Sequence, residues 1–189
     1  MRTTSSAVVS TKVKGFSIYE NITHRASIQY PSVWNKQEIL NNDFTVAVMF
    51  LAPITRSFSS REDSKLIRDM IYNESSTTVV VSIKRSIAPH DPSNTLQAVT
   101  NDNIHLLNIC FDNVNLLETS YDRIVGELQA SKLIYTYTDP LQNHIDKKGM
   151  KIISVQHHKE ITITYSSQNR DFDKFLSTVD RMVGTLRIL

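Results

Sequence analysis

Apolar and polar residues alternate with a period of two along most of this chain, and that pattern predicts strands. Phe16, Ile18 and Glu20 begin a first strand. Ala26 to Tyr30 form a second, which Pro31 stops because proline donates nothing to a ladder. Ser32 is placed to cap a short helical turn running through Glu38. Phe44 to Leu51 carry Phe44, Val46, Val48 and Phe50 on one face and Ala47, Met49 and Leu51 on the other. A strand apolar on both faces belongs in the middle of a sheet, covered on two sides. Thr78 to Arg85 set Val79, Val81 and Ile83 opposite Ser82 and Lys84.

The period then changes. Asp91-Pro92-Ser93 is a helix start signal, and Leu96, Val99, Leu106, Leu107 and Cys110 follow at near-helical spacing up to about Asp112. Strands return at Asn115 to Tyr121 and at Glu127 to Thr138, where Leu133, Tyr135 and Tyr137 alternate with Lys132, Ile134 and Thr136. Met150 to His157 and Ile161 to Ser166 pair as a hairpin about His158-Lys159-Glu160. Asn169 or Asp171 caps a last helix whose Phe172, Phe175, Leu176, Val179, Met182 and Val183 keep the i, i+3, i+4, i+7 rhythm. Gly184 is placed to end it in a left-handed cap, and Thr185 to Leu189 form a closing strand. Strands, helix, strands, helix and strand in that order predict an α+β fold: an antiparallel sheet with helices packed on it as an α/β/α sandwich.

Size and charge narrow the class. At 189 residues, 40% hydrophobic and 21% charged, the chain suits one globular domain. Residues 14–189 are assigned to it. Residues 1–13, rich in Ser and Thr and without periodicity, are read as a disordered tail. The net charge of +2 is dispersed, so the basic stripe of a nucleic-acid binder is missing and no nucleic-acid partner is expected. A single cysteine excludes an intrachain disulfide. No apolar run approaches the ~20 residues of a membrane span, and the first residues lack a signal peptide's apolar core. As written the chain reads as cytoplasmic; a leader upstream would make it extracytoplasmic.

The segment Gly15 to Glu38 carries a resemblance. Gly15-Phe16, a short strand, a second strand closing on Pro31-Ser32, then Trp34-Asn35 is similar to the opening of the PsbP family, whose fold is shared with a Ran-binding nuclear-import factor. The hairpin Lys151 to Ser166, the aromatic-bearing helix Phe172 to Val183 and the last strand Leu186 to Leu189 resemble the family's closing pattern. The resemblance spans roughly Lys14 to Leu189. It implies a non-catalytic binding protein. Plant and cyanobacterial members dock on photosystem II and help retain calcium and chloride. This chain departs from them at its N-terminus and in a longer connection between Ala52 and Ser76, which sets it with the stand-alone prokaryotic type.

Catalytic signatures are missing from the sequence. The four glycines, Gly15, Gly126, Gly149 and Gly184, lie too far apart for a phosphate-cradling loop, and no G-x-S-x-G elbow occurs. Cys110 falls on the predicted apolar stripe of a helix, where a thiol acts as a small hydrophobe. His157 and His158 are neighbours on one strand and point to opposite faces, so they cannot share an ion. His24, His90, His105 and His144 lack ligand spacing, so no metal and no cofactor are expected. Glu62-Asp63 and Asp171/Asp173 read as a polar loop and a helix N-terminus. Tyr30 and Trp34 read as staples of a turn.

The expectation is therefore a non-enzymatic interaction or accessory module with an unidentified protein partner. The alternative is a small-ligand binder or enzyme with a pocket between sheet and helix. The partner surface is assigned to the long connection Pro53 to Ser76, through Arg56, Phe58, Arg61 and the stripe Leu66, Ile67, Met70 and Ile71. Asn21 and Asn73 begin N-glycosylation sequons and are expected to be accessible, which matters only on export.

Overall fold

A computed structural model of the chain describes residues 13–42, 45–53, 77–85, 95–125, 128–142, 144–156 and 158–188, without the side chains of 122–128. Ten strands appear among them: β1 Phe16–Asn21, β2 Ala26–Pro31, β3 Asn35–Asn41, β4 Thr45–Leu51, β5 Thr78–Arg85, β6 Asp112–Val125, β7 Leu128–Asp139, β8 Ile145–Gln156, β9 Lys159–Gln168 and β10 Arg187–Ile188. Helix α1 spans Leu96–Cys110; a 3-10 turn at Asn169–Asp171 leads into α2, Phe172–Gly184.

Seven strands build a main sheet in the order β3-β4-β5-β9-β8-β7-β6, and three build a small one, β1-β2-β10. Every pairing is antiparallel. The α+β reading holds, with the difference that the closing strand does not join the main sheet but pairs with β2.

One face of the main sheet carries Val46, Val48, Phe50, Val79, Val81, Ile83, Ile161, Ile163 and Tyr165, all buried beneath α2 and the small sheet. The inward stripe of α2 is Phe172, Val179, Met182 and Val183, with Phe175 and Leu176 half-buried beside it. Trp34 is buried and meets the Phe175 ring edge-on at 5.9 Å, which makes it the staple its turn position implies. The other face carries Leu133, Tyr135, Tyr137 and Ile153 beneath Val99 and Leu107 of α1. Gly149 is required there. A Cβ on it would meet the Tyr135 ring at 2.5 Å, so the ring lies directly over the bare backbone.

Several local expectations give way. Asn35–Asn41 is an edge strand and not a helical turn, because it pairs with β4 along its length. Pairing of that extent overrides local propensity. β4 is second from the edge, and its Ala47, Met49 and Leu51 are only half-buried; Phe44 lies outside the described residues. Helix α1 is capped by Thr95, whose Oγ1 accepts the Ala98 N–H, while Asp91-Pro92-Ser93 lie outside the described residues. The buried positions of α1 are Val99, Thr100, Asn103 and Leu107. Cys110 is exposed, one turn beyond that stripe, so it is not the buried hydrophobe expected. The two polar positions are satisfied: Thr100 Oγ1 meets Ser131 Oγ at 2.7 Å, and Asn103 accepts from Lys151 Nζ at 3.1 Å. Gly184 stays inside α2, and Thr185 closes the helix through Oγ1 to the Met182 carbonyl at 2.7 Å. The β8–β9 turn is one step earlier than expected. Lys159 already belongs to β9, and His158 takes the left-handed φ of 58° that the tight turn needs.

Candidate functional site

The assigned partner surface, Arg56, Phe58, Arg61, Leu66, Ile67, Met70 and Ile71, lies outside the described residues, as does Asn73. Asn21 is described, and it is buried. Its side chain donates to Asn41 Oδ1 and accepts the His24 N–H, so the first sequon is not accessible as expected. It belongs to the scaffold of the β1–β2 turn.

The described residues instead build a polar cleft where β7, β8 and β9 end. It holds about 290 Å³ and is lined by Asn113, Thr136, Tyr137, Thr138, Asp146, Lys147 and Asn169. It opens into a wider trough bordered by Ile145, Gln168 and Arg170. The turn from Asp139 to Ile145 positions it: Asp139 accepts the Leu141 N–H through Oδ1, and its carbonyl accepts from His144 and Gln142.

Lys147 sits on an inward position of β8, opposite Tyr137, and is 6% exposed. A buried ammonium needs partners. Gln142 Oε1 accepts from its Nζ at 2.6 Å, and Asp139 Oδ2 lies at 3.4 Å. Across the strands, Asn113 donates to Thr138 Oγ1 at 3.3 Å, and Thr138 donates to Asp146 Oδ1 at 3.0 Å. The Tyr137 hydroxyl pairs with Ser166 Oγ. Burial pushes the Tyr137 phenol up to about 12, with the charge of Asp139 adding to it and the Ser166 hydrogen bond opposing it. Burial drives Tyr135 and Tyr165 well above the ordinary phenol range as well.

This arrangement offers hydroxyl, amide, carboxylate and ammonium groups that can recognise polar ligands. Among the described residues no three His, Cys, Asp or Glu side chains converge as a metal would require. Sequence reasoning missed Thr138, Asp146 and Lys147. The available signal was Lys147 itself, a charge on an inward position of an alternating strand.

A second surface is apolar. Leu106 and Ile109 on the outer side of α1 are 52% and 64% exposed. Leu116 and Leu117 on β6 are 40% and 52% exposed, and β6 is an edge of the main sheet.

No family model matches the chain, and no curated protein does. Among solved structures it is similar to cyanobacterial PsbP (CyanoP) from Synechocystis, with a TM-score of 0.62 and 14% identity over 97% of this chain and 98% of that one. It is similar to a protein of unknown function from Pseudomonas aeruginosa, with a TM-score of 0.53 and 12% identity over 92% and 97% of the two chains. The Ran-binding protein Mog1p of Saccharomyces cerevisiae follows at a TM-score of 0.49 and 10% identity over 92% and 95%, too loose a likeness to argue from. Identities this low establish the fold and nothing further. The fold is PsbP-like, as the opening residues Gly15 to Trp34 implied.

Proposed function

We propose that this chain is a non-enzymatic accessory module that docks on another protein through the outer side of α1 and the adjoining edge strand. The observation that carries this reading is the exposure of Leu106 and Ile109, one turn apart on the outer side of α1, together with that of Leu116 and Leu117 on the edge strand β6 that α1 touches. Clustered apolar exposure is a common mark of a protein-binding surface. Polar Asn101, Asp102 and His105 border it on the same helix, as a polar rim borders an interface. The likeness to PsbP lends support at the level of fold.

The test compares proteins co-purifying from native cells with the natural chain and with a Leu106→Asp/Ile109→Asp variant. The variant is expected to fold normally by circular dichroism and to lose a specific partner. An unchanged set of partners would sink the reading.

The polar cleft beside Lys147 favours a second reading, a binder of a small polar ligand. A ligand panel that raises the melting temperature of the natural chain, but not of a Thr138→Val variant, would favour it over the first.

A further inference from the structure

We infer that the turn end of the β8–β9 hairpin binds an acidic peptide segment of a protein partner, read by Arg25, Arg85 and Lys159. The inference rests on the reading of the chain as a protein-binding module but uses a different face, at the opposite end of the hairpin from the polar cleft.

Three elements bring the cations together. Arg85 ends β5 and stands directly across from Lys159, the first residue of β9. Lys159 Nζ donates to the carbonyl oxygen of His24 at 2.8 Å, which ties it to the β1–β2 turn. Arg25 follows in that turn. Like charges opposite each other on neighbouring strands are destabilising, and here a third is added. The effect registers on Lys159, whose pKa falls through burial and through the charges of Arg85 and Arg25. Among the described residues neither arginine forms an ion pair. Both are exposed and free to meet a ligand.

The backbone holds this arrangement in place. His24 is fully buried. Its N–H donates to Asn21 Oδ1, and its Nε2–H donates to the Asn42 carbonyl at 2.8 Å. Arg25, next in line, has a φ of 48°, and His158 beside Lys159 has 58°. Left-handed backbone is uncommon for residues other than glycine and persists only when the surroundings enforce it. The fold thus fixes two strained turns and presents three cations on one rim, with no ion pair to any of them among the described residues.

The chemistry selects the occupant. Arg25 and Arg85 are exposed, and neither cleft described above includes the row. Arg85 and Lys159 are cross-strand neighbours and Arg25 lies close enough for its charge to be felt at Lys159, so one short acidic segment can meet several cations at once. Arginine forks grip carboxylates with two parallel hydrogen bonds.

The test titrates a fluorescein-labelled glutamate-rich peptide into the full chain and follows anisotropy. Saturable one-to-one binding is expected, weakening steeply as sodium chloride rises. Arg25→Gln and Arg85→Gln should each weaken it by up to about fivefold, as loss of an exposed ion pair does, while Lys14→Gln should not change it. Both arginine variants should melt at or above the natural temperature, because repulsion is relieved. Leu106→Asp/Ile109→Asp should retain peptide binding, which separates failure of this inference from failure of the α1 surface. Unchanged binding in the Arg25→Gln/Arg85→Gln double variant would overturn the inference. So would a fall in melting temperature in both arginine variants, which would make the cations structural. Displacement of the peptide by inorganic phosphate at matched charge would overturn it too, by assigning the rim to a small anion.

Discussion

Lys147 lies at one end of the β8–β9 hairpin and Lys159 at the other, and their surroundings differ in kind. Lys147 is buried, faces Asp139, and is gripped by Gln142. Lys159 is half-buried, faces Arg85, and has a backbone carbonyl as its hydrogen-bond partner. The first lysine is part of the structure: its charge is answered within eight residues of chain. The second carries a charge that the described residues repel. A cation that the fold compensates reports on stability; one that the described residues leave without an ion pair is the place to test for a bound anion, as proposed above.

The sharpest way to break the comparison is at Asp139. Asp139→Ala leaves Lys147 buried with only an amide partner, and unfolding by urea should show a loss of about 3 kcal/mol. A Lys147→Met/Asp139→Leu double variant should recover most of it. If the single variant costs no more than a surface substitution, Lys147 is not the structural residue described.

Gly149, midway along β8, should respond independently of either end. Gly149→Ala drives a methyl into the Tyr135 ring, and overpacking of that kind costs about 2 kcal/mol. A second change, Tyr135→Leu, should return part of the loss, and a double-mutant cycle measures it.

Alkali sharpens the contrast from the cleft side. The phenol of Tyr137 titrates near 10.0 when unfolded and is pushed up to about 12 in the fold. The unfolded chain therefore holds fewer protons between those values. The stabilisation is complete below pH 10 and is lost as pH rises through the folded value, at up to about 1.4 kcal/mol per pH unit for this group. Tyr137→Phe should flatten that part of the stability profile.

The smallest effect has the opposite sign. Arg85→Gln should raise stability by about 0.5 kcal/mol at low salt by removing the repulsion across β5 and β9. The gain should shrink as salt screens the natural chain.

The sequence made the alternation of Val79, Val81 and Ile83 and the stripe from Phe172 to Val183 legible, because each is a local period that one face of the core enforces. It was misleading at Asn35–Asn41, where the deciding partner is β4 and local residues suit a turn of helix. It was misleading at Cys110, where helical spacing says which way a residue points but not where the sheet beneath it ends. Asn21 looked like an exposed sequon because nothing nearby announces that His24 is buried over it. The cation rim was least legible of all. Positions 25, 85 and 159 are unremarkable as a string and become neighbours only when β5 pairs with β9 and the β1–β2 turn folds onto them.

The small sheet has a consequence for how the molecule is made. β10 lies against β2 through Arg187 and Ile188, and the Gln29 amide donates to Thr185 Oγ1 across a separation of 156 residues. On the ribosome, the hairpin near the beginning of the fold emerges first and must wait for that strand to be translated. Until then β2 exposes one bare edge, a template for mispairing. Nascent chains arrested before Thr185 should thus be captured by chaperones and cut by proteases far more readily than chains released after Ile188.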